Sequence, residues 1–211
     1  MKPAPRAAAL LAALALAGLG GCASQKEVLV DFSETPRHFV AKDYDDVYQR
    51  WTRHQQVLDD ADVALEVWAT FKSWEFRDAY VERYAQVYSL AEGDHVTLRK
   101  AQQEAFQAAY EFHVTAQSTN FKWNDLEKGS SAWRTSLVDA LGHELPGTVK
   151  VVKLPDAYER EFFPRKTPFT KTYAIRFVAD EGAEFVGMRS GSIKLRIASP
   201  VGRVELIWKS S

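Results

Sequence analysis

The stretch Ser192-Ile193-Lys194-Leu195-Arg196-Ile197, followed by Ser199-Pro200-Val201-Gly202 and then Arg203-Val204-Glu205-Leu206-Ile207-Trp208-Lys209, decides the fold class. Ile193, Leu195 and Ile197 alternate with Lys194 and Arg196, which is the period of a strand with one buried and one wet face. Pro200 is pre-set for the first central position of a turn, and Gly202 follows it. Val204, Leu206 and Trp208 then alternate with Arg203 and Glu205 on the way back. The reading is a β-hairpin, and hairpins build antiparallel sheets.

Working backwards, the same period marks candidate strands at 171–179, 148–154, 132–138 and 112–118. Before these the period changes to that of helices. Ser73 is placed to cap a helix whose apolar stripe is Phe76, Ala79, Tyr80, Tyr84, Val87 and Tyr88, with Gly93 as its stop. Asp94 is placed to cap a second, with Leu98, Ala101, Ala105, Phe106, Ala109 and Tyr110 on one face. Earlier still, Leu65, Val67, Ala69 and Phe71 alternate with polar or half-polar neighbours, and a second extended run precedes the acidic turn Asp59-Asp60-Ala61-Asp62. Asp43 stands before a helical face of Tyr44, Val47, Tyr48 and Trp51, and Val28-Leu29-Val30 reads as a further strand.

Strands on both sides of a helical pair predict an α+β domain: a mainly antiparallel β-sandwich with two or three helices inserted in its N-terminal half. A sheet with helices on one face is the competing architecture. The expected organisation is residues 1–21 as a removed signal peptide, 22–40 as a lipidated N-terminus and short tether, and 41–211 as one globular domain. With a single cysteine among 211 residues, packing alone must hold the core.

The removed segment is read from its first residues. Lys2 and Arg6 precede an uncharged Ala/Leu run from Ala7 to Leu19, too short to cross a bilayer and of signal-peptide length. Leu19-Gly20-Gly21-Cys22 follows at once. This tetrapeptide resembles the lipobox of bacterial lipoproteins, and the resemblance implies cleavage before Cys22 by signal peptidase II and a diacylglyceryl group on its thiol. An ordinary secretory signal is the alternative, but the only cysteine in the chain has no disulfide partner. Ala23 and Ser24 lack the Asp that retains such proteins in the inner membrane, which points to the outer membrane with the domain facing the periplasm.

Charge narrows the partners. Without Lys2 and Arg6, 25 of the 27 basic side chains remain against 28 acidic ones. Neither half of the chain is basic enough to argue for nucleic acid.

The familiar chemistries find no pattern. His38, His54, His95, His113 and His143 are scattered, no two at the spacing that puts both on one helix face around zinc, and they read as surface residues. Gly187-Met188-Arg189-Ser190-Gly191 has two residues between its first glycine and serine where a nucleophile elbow has one. Asp59, Asp60 and Asp62 fail the calcium-loop pattern and read as a solvated turn. No cofactor is expected, and no catalytic or metal residue is assigned.

One surface has character. If the hydrophobic half of the last hairpin faces inward, Lys194, Arg196, Arg203 and Lys209 face outward together, with Arg176 joining them from the preceding strand. Such a face could meet lipid phosphates or an acidic partner. The tyrosine stripe on the first of the paired helices suits either core or a half-exposed groove. The expected function is therefore a membrane-anchored envelope lipoprotein that binds or supports another envelope protein or a glycan. The alternative is an envelope-polymer hydrolase using carboxylates that the fold assembles.

Overall fold

The computed structural model describes residues 28–35, 37–180 and 183–211. Cys22, the lipobox and the removed segment lie outside these residues. The described elements run in the order β1 Leu29–Val30, α1 Tyr44–Trp51, β2 Thr52–Asp59, β3 Asp62–Phe71, α2 Trp74–Tyr88, α3 Glu92–Ala108, β4 Tyr110–Gln117, β5 Arg134–Asp139, β6 Glu144–Pro146, β7 Thr148–Val151, α4 Asp156–Phe162, β8 Lys171–Phe177, β9 Ser192–Ser199 and β10 Gly202–Ser210.

The strands form two sheets of five. One has the order β1-β10-β9-β5-β6 and the other β2-β3-β4-β8-β7. All pairings are antiparallel except that of β1 with β10. The β9–β10 hairpin takes the register its turn dictates, with Leu195 opposite Leu206 and Ile193 opposite Trp208. Ile193, Leu195, Ile197, Val204, Leu206 and Trp208 are all buried, so the period-two reading holds along both strands.

The sheets face one another through aromatic rings. Trp208 from the first sheet lies 5.2 Å from Phe112 and 6.2 Å from Phe71 of the second, centroid to centroid. The facing edges of β10 and β2 are closed by side chains. The period of β2 turns Arg53 and Gln55 toward the core, where polar ends need partners. They find them on β10: Gln55 accepts from the Glu205 amide at 2.7 Å, and Arg53 Nε donates to the Ile207 carbonyl at 2.9 Å. Arg53 also donates to the carbonyls of Arg50 and Val28, and desolvation lowers its pKa to about 10.

The helices cover the outer face of the second sheet. Thr172 donates to Glu159 of α4 at 2.6 Å, and Phe163, the residue after α4, stacks on His113 of β4 with centroids 3.6 Å apart. Tyr44 of α1 donates to the Phe162 carbonyl at 2.6 Å, and Phe76 of α2 packs on Phe163.

Several local expectations are corrected. Ser73 caps α2 as expected, accepting from the Phe76 amide, but the helix ends at Ser89, which takes a left-handed conformation at φ 51°. Gly93 and Asp94 therefore lie inside the first turn of α3, and Tyr110 is a strand residue. Of the stripe expected on that second helix, only Phe106 is buried within α3, because the helix meets α2 mostly through polar side chains, His95 and Arg99 on Glu82 and Asp78, and Gln102 on Arg77. Asp43 does not cap α1; its carboxylate turns back to accept from the Val40 amide. The short α4 and β6 had no periodic signature.

Candidate interaction surfaces

The outward half of the β9–β10 hairpin is where the basic face was expected. Lys194 and Arg196 do face outward together, but they converge on Glu205 of the neighbouring strand, at 3.2 and 3.0 Å, and Arg196 also pairs with Glu144 of β6. The pairing was legible in the hairpin, whose register sets Glu205 opposite Arg196. Burial pushes the Glu205 carboxyl up, but hydrogen bonds from Arg196 and Lys194 outweigh it and hold the group below the ordinary carboxylate range. Arg203 and Lys209 are exposed on the same strand. Arg176 does not join them: it lies on the outer face of the other sheet, paired with Glu111 at 3.1 Å. The face is a neutralised ladder with cations at its ends.

The tyrosine stripe is mostly core. Tyr80 and Tyr158 share a hydroxyl–hydroxyl bond of 2.8 Å, and Phe162 of α4 sits against Tyr80 and Tyr84. Only Tyr88, at the end of α2, is exposed.

Buried carboxylates are where hydrolytic chemistry would show, and each is engaged. Glu75 accepts from the Trp51 indole at 2.8 Å and pairs with Arg37 and Arg50. Asp78 is the one whose pKa is raised, by desolvation that Arg99 only partly offsets. Arg99 bridges Asp78 and Glu82, so the space between these two acids is filled by a guanidinium. Glu159 meets Lys166 and Thr172. Asp139 accepts from the amides of Leu141, His143 and Val186, which ties the β5–β6 turn to the segment before β9.

The histidine reading is corrected at one position. His54, His95 and His143 sit beside Glu66, Glu82 and Asp139, but His113 is buried on the outer face of β4 and its Nε2 has no hydrogen-bond partner. Desolvation, with Lys72 beside it, holds its pKa well below the ordinary value. Ser190 Oγ donates to the carbonyls of Gly187 and Ser192, with no histidine among its partners. No group of three metal-ligating side chains occurs among the described residues.

The surface that the sequence did not reveal is the end of the sandwich formed by the β2–β3 turn, the segment after β4 and the loop before β8. There Phe121 is 70 % exposed and Phe169 65 % exposed. Phe121 walls two adjoining depressions. One, of about 470 Å³, is floored by Val63, Ala64 and Trp123 with Asp59 and Asp62 at its rim. The other, of about 330 Å³, runs from Val63 and Ser118 to Phe169. The β2–β3 turn presents Asp59, Asp60 and Asp62 to solvent, with Asp60 in the left-handed region at φ 54°, a conformation aspartate tolerates.

The chain matches no family model, no characterised protein and no solved structure.

Proposed function

We propose that this chain is a bacterial envelope lipoprotein, lipidated at Cys22 and held at the outer membrane facing the periplasm, which binds another envelope component without chemically altering it. The observation that carries the reading is how little chain separates Cys22 from the fold. β1 begins at Leu29, seven residues on. Fully extended, that length reaches about 25 Å. The far side of this tether is firmly held: Leu29 and Val30 pair with Lys209 and Ser210, and the Val28 carbonyl accepts from Arg53 at 2.8 Å.

A lipid on Cys22 would thus keep the β1 end of the sandwich within about 25 Å of the bilayer. β10 runs from that end to Gly202, beside Val57 and the β2–β3 turn. Its nine residues set the exposed aromatic end about 30 Å farther out. Two or three acyl chains make such an anchor lasting, since each buried methylene adds about 0.8 kcal/mol. A binding role is favoured over hydrolysis by the buried carboxylates, all of which are held by cations or donors of the protein itself.

Replacing Cys22 by alanine tests the anchor. The variant should accumulate as uncleaved precursor and take up no labelled palmitate. Normal cleavage and membrane attachment of Cys22→Ala would sink the reading.

A further inference from the structure

We infer that the aromatic end of the sandwich docks a cationic, apolar peptide segment of a partner protein, one that inserts a hydrophobic side chain on each side of Phe121. The inference deepens the binding role proposed above and takes from it only the direction in which this end points.

Three observations carry it. Phe121 and Phe169 leave most of their surface in water, whereas nearly every other phenylalanine of the described strands and helices is buried. Exposed aromatic rings beside concave apolar floors are the usual anchors of an interface. They are also shaped for two insertions, since one ring divides two depressions.

The second observation is charge. Asp59 and Asp62 stand at the rim of the larger depression and Asp60 lies between them, all three exposed and none in an ion pair among the described residues. Other surface acids, such as Asp45 and Asp46, are also unpaired among the described residues, but at this rim three lie within four residues beside two exposed aromatic rings. Lys122 also lines the groove and leaves the rim acidic in net. The complementary ligand carries lysine or arginine next to its apolar side chains.

The third observation separates a peptide from a glycan. A sugar would need neutral donors and acceptors beside the rings to meet its hydroxyls. Here the Thr119 hydroxyl oxygen already accepts from the Val63 amide and the Asn120 carboxamide oxygen from the Lys122 amide, so the acceptors beside the rings are engaged while their O–H and N–H donors stay open. The open acceptors at the rim are the carboxylates of Asp59, Asp60 and Asp62, whose charge favours a cation over a neutral hydroxyl.

The experiment uses the full-length lipoprotein in neutral phosphatidylcholine nanodiscs, with empty discs subtracted. Fluorescence anisotropy would follow three labelled nonapeptides: alternating Lys/Leu, alternating Glu/Leu and alternating Lys/Ser. Only the Lys/Leu peptide should bind. Replacing both rings, Phe121→Ser with Phe169→Ser, should weaken it about tenfold or more, the scale of losing interface anchors. Asp59→Asn, Asp60→Asn and Asp62→Asn together should weaken it about threefold and remove its salt dependence. Lys194→Ser, on the outer face of the other sheet and opposite Ile207 toward the β1 end, should change nothing. Equal binding to the double serine variant, equal binding of the Glu/Leu peptide, or displacement by N-acetylglucosamine oligomers would each overturn the inference. Loss of palmitate labelling with this peptide profile intact would sink the anchoring and leave the docking site standing.

Discussion

The indole N–H of Trp208, on the last strand, donates to the main-chain carbonyl of Trp51, at the end of the first helix, at 2.8 Å. One bond thus joins the two sheets and the helical layer at the end where β1 enters. Both side chains are fully buried, and Trp208 is also in contact with Phe71 and Phe112. Trp208→Phe keeps most of the apolar volume but orphans the Trp51 carbonyl, which should cost about 1–3 kcal/mol. Trp208→Ala adds a cavity and should cost about 3–5 kcal/mol. Urea denaturation measures both, and a loss below 0.5 kcal/mol for the phenylalanine variant, about the scatter of ordinary surface changes, would mean the bond is not holding this end together.

Gly202 and Val57 hold the other end. A Cβ on Gly202 would lie 2.6 Å from a Val57 methyl, and Gly202 has φ 147°, where side chains rarely go. Gly202→Ala should therefore destabilise the chain by about 2–3 kcal/mol. Val57→Ala removes the clash, so the double variant should be less unstable than the two losses summed. Simple additivity in urea melts would show that φ alone carries the cost.

These two ends differ in how much the sequence discloses. The hairpin that places Trp208 and Gly202 was legible because alternation of period two, bounded by Pro200 and Gly202, has one reading. The capping serine of α2 was legible for the same local reason. The stop of that helix was not, because Ser89 takes a conformation usually marked by glycine and Gly93 stood nearby as a decoy. The short α4 was hidden by a buried Glu159 whose burial depends on Thr172 and Lys166 from other segments. The aromatic end was invisible on principle. Phe121 opens a three-residue 3-10 helix and Phe169 stands in a loop, neither with a periodic pattern, and only the pairing of β4 with β8 brings these segments together. Arg176 was misplaced because alternation tells which residues share a strand face and leaves open which sheet the strand joins.

His113 makes acid stability predictable. Its folded-state pKa lies well below the unfolded value of 6.5, so the unfolded chain binds the extra proton. The stability from keeping this ring neutral is complete above pH 6.5 and is lost as the pH falls from there toward the folded value. One such proton corresponds to a slope of at most about 1.4 kcal/mol per pH unit. His113→Phe keeps a ring against Phe163 and removes the titration. Stability curves from pH 7.5 to 5 should be flatter for the variant than for the parent. Parallel curves would show that His113 is solvated in the folded chain.

Glu205 is the charge that makes the hairpin's outer face neutral. Lys194 and Arg196 both reach it, and Arg196 also pairs through Nη1 with Glu144. If these pairs are what keeps the face from acting as a basic surface, Glu144→Gln with Glu205→Gln should expose it. The full-length double variant should then leave a heparin column at distinctly higher salt than the parent. Asp59→Asn with Asp60→Asn changes the net charge by the same amount at the aromatic end, without freeing a cation pair, and so serves as the reference. Clustered cations gain more from a polyanion than the same charge spread over the surface. A larger shift for the hairpin variant than for the reference assigns the effect to Lys194 and Arg196. Equal shifts would mean that only net charge matters, and that this face holds no latent basic site.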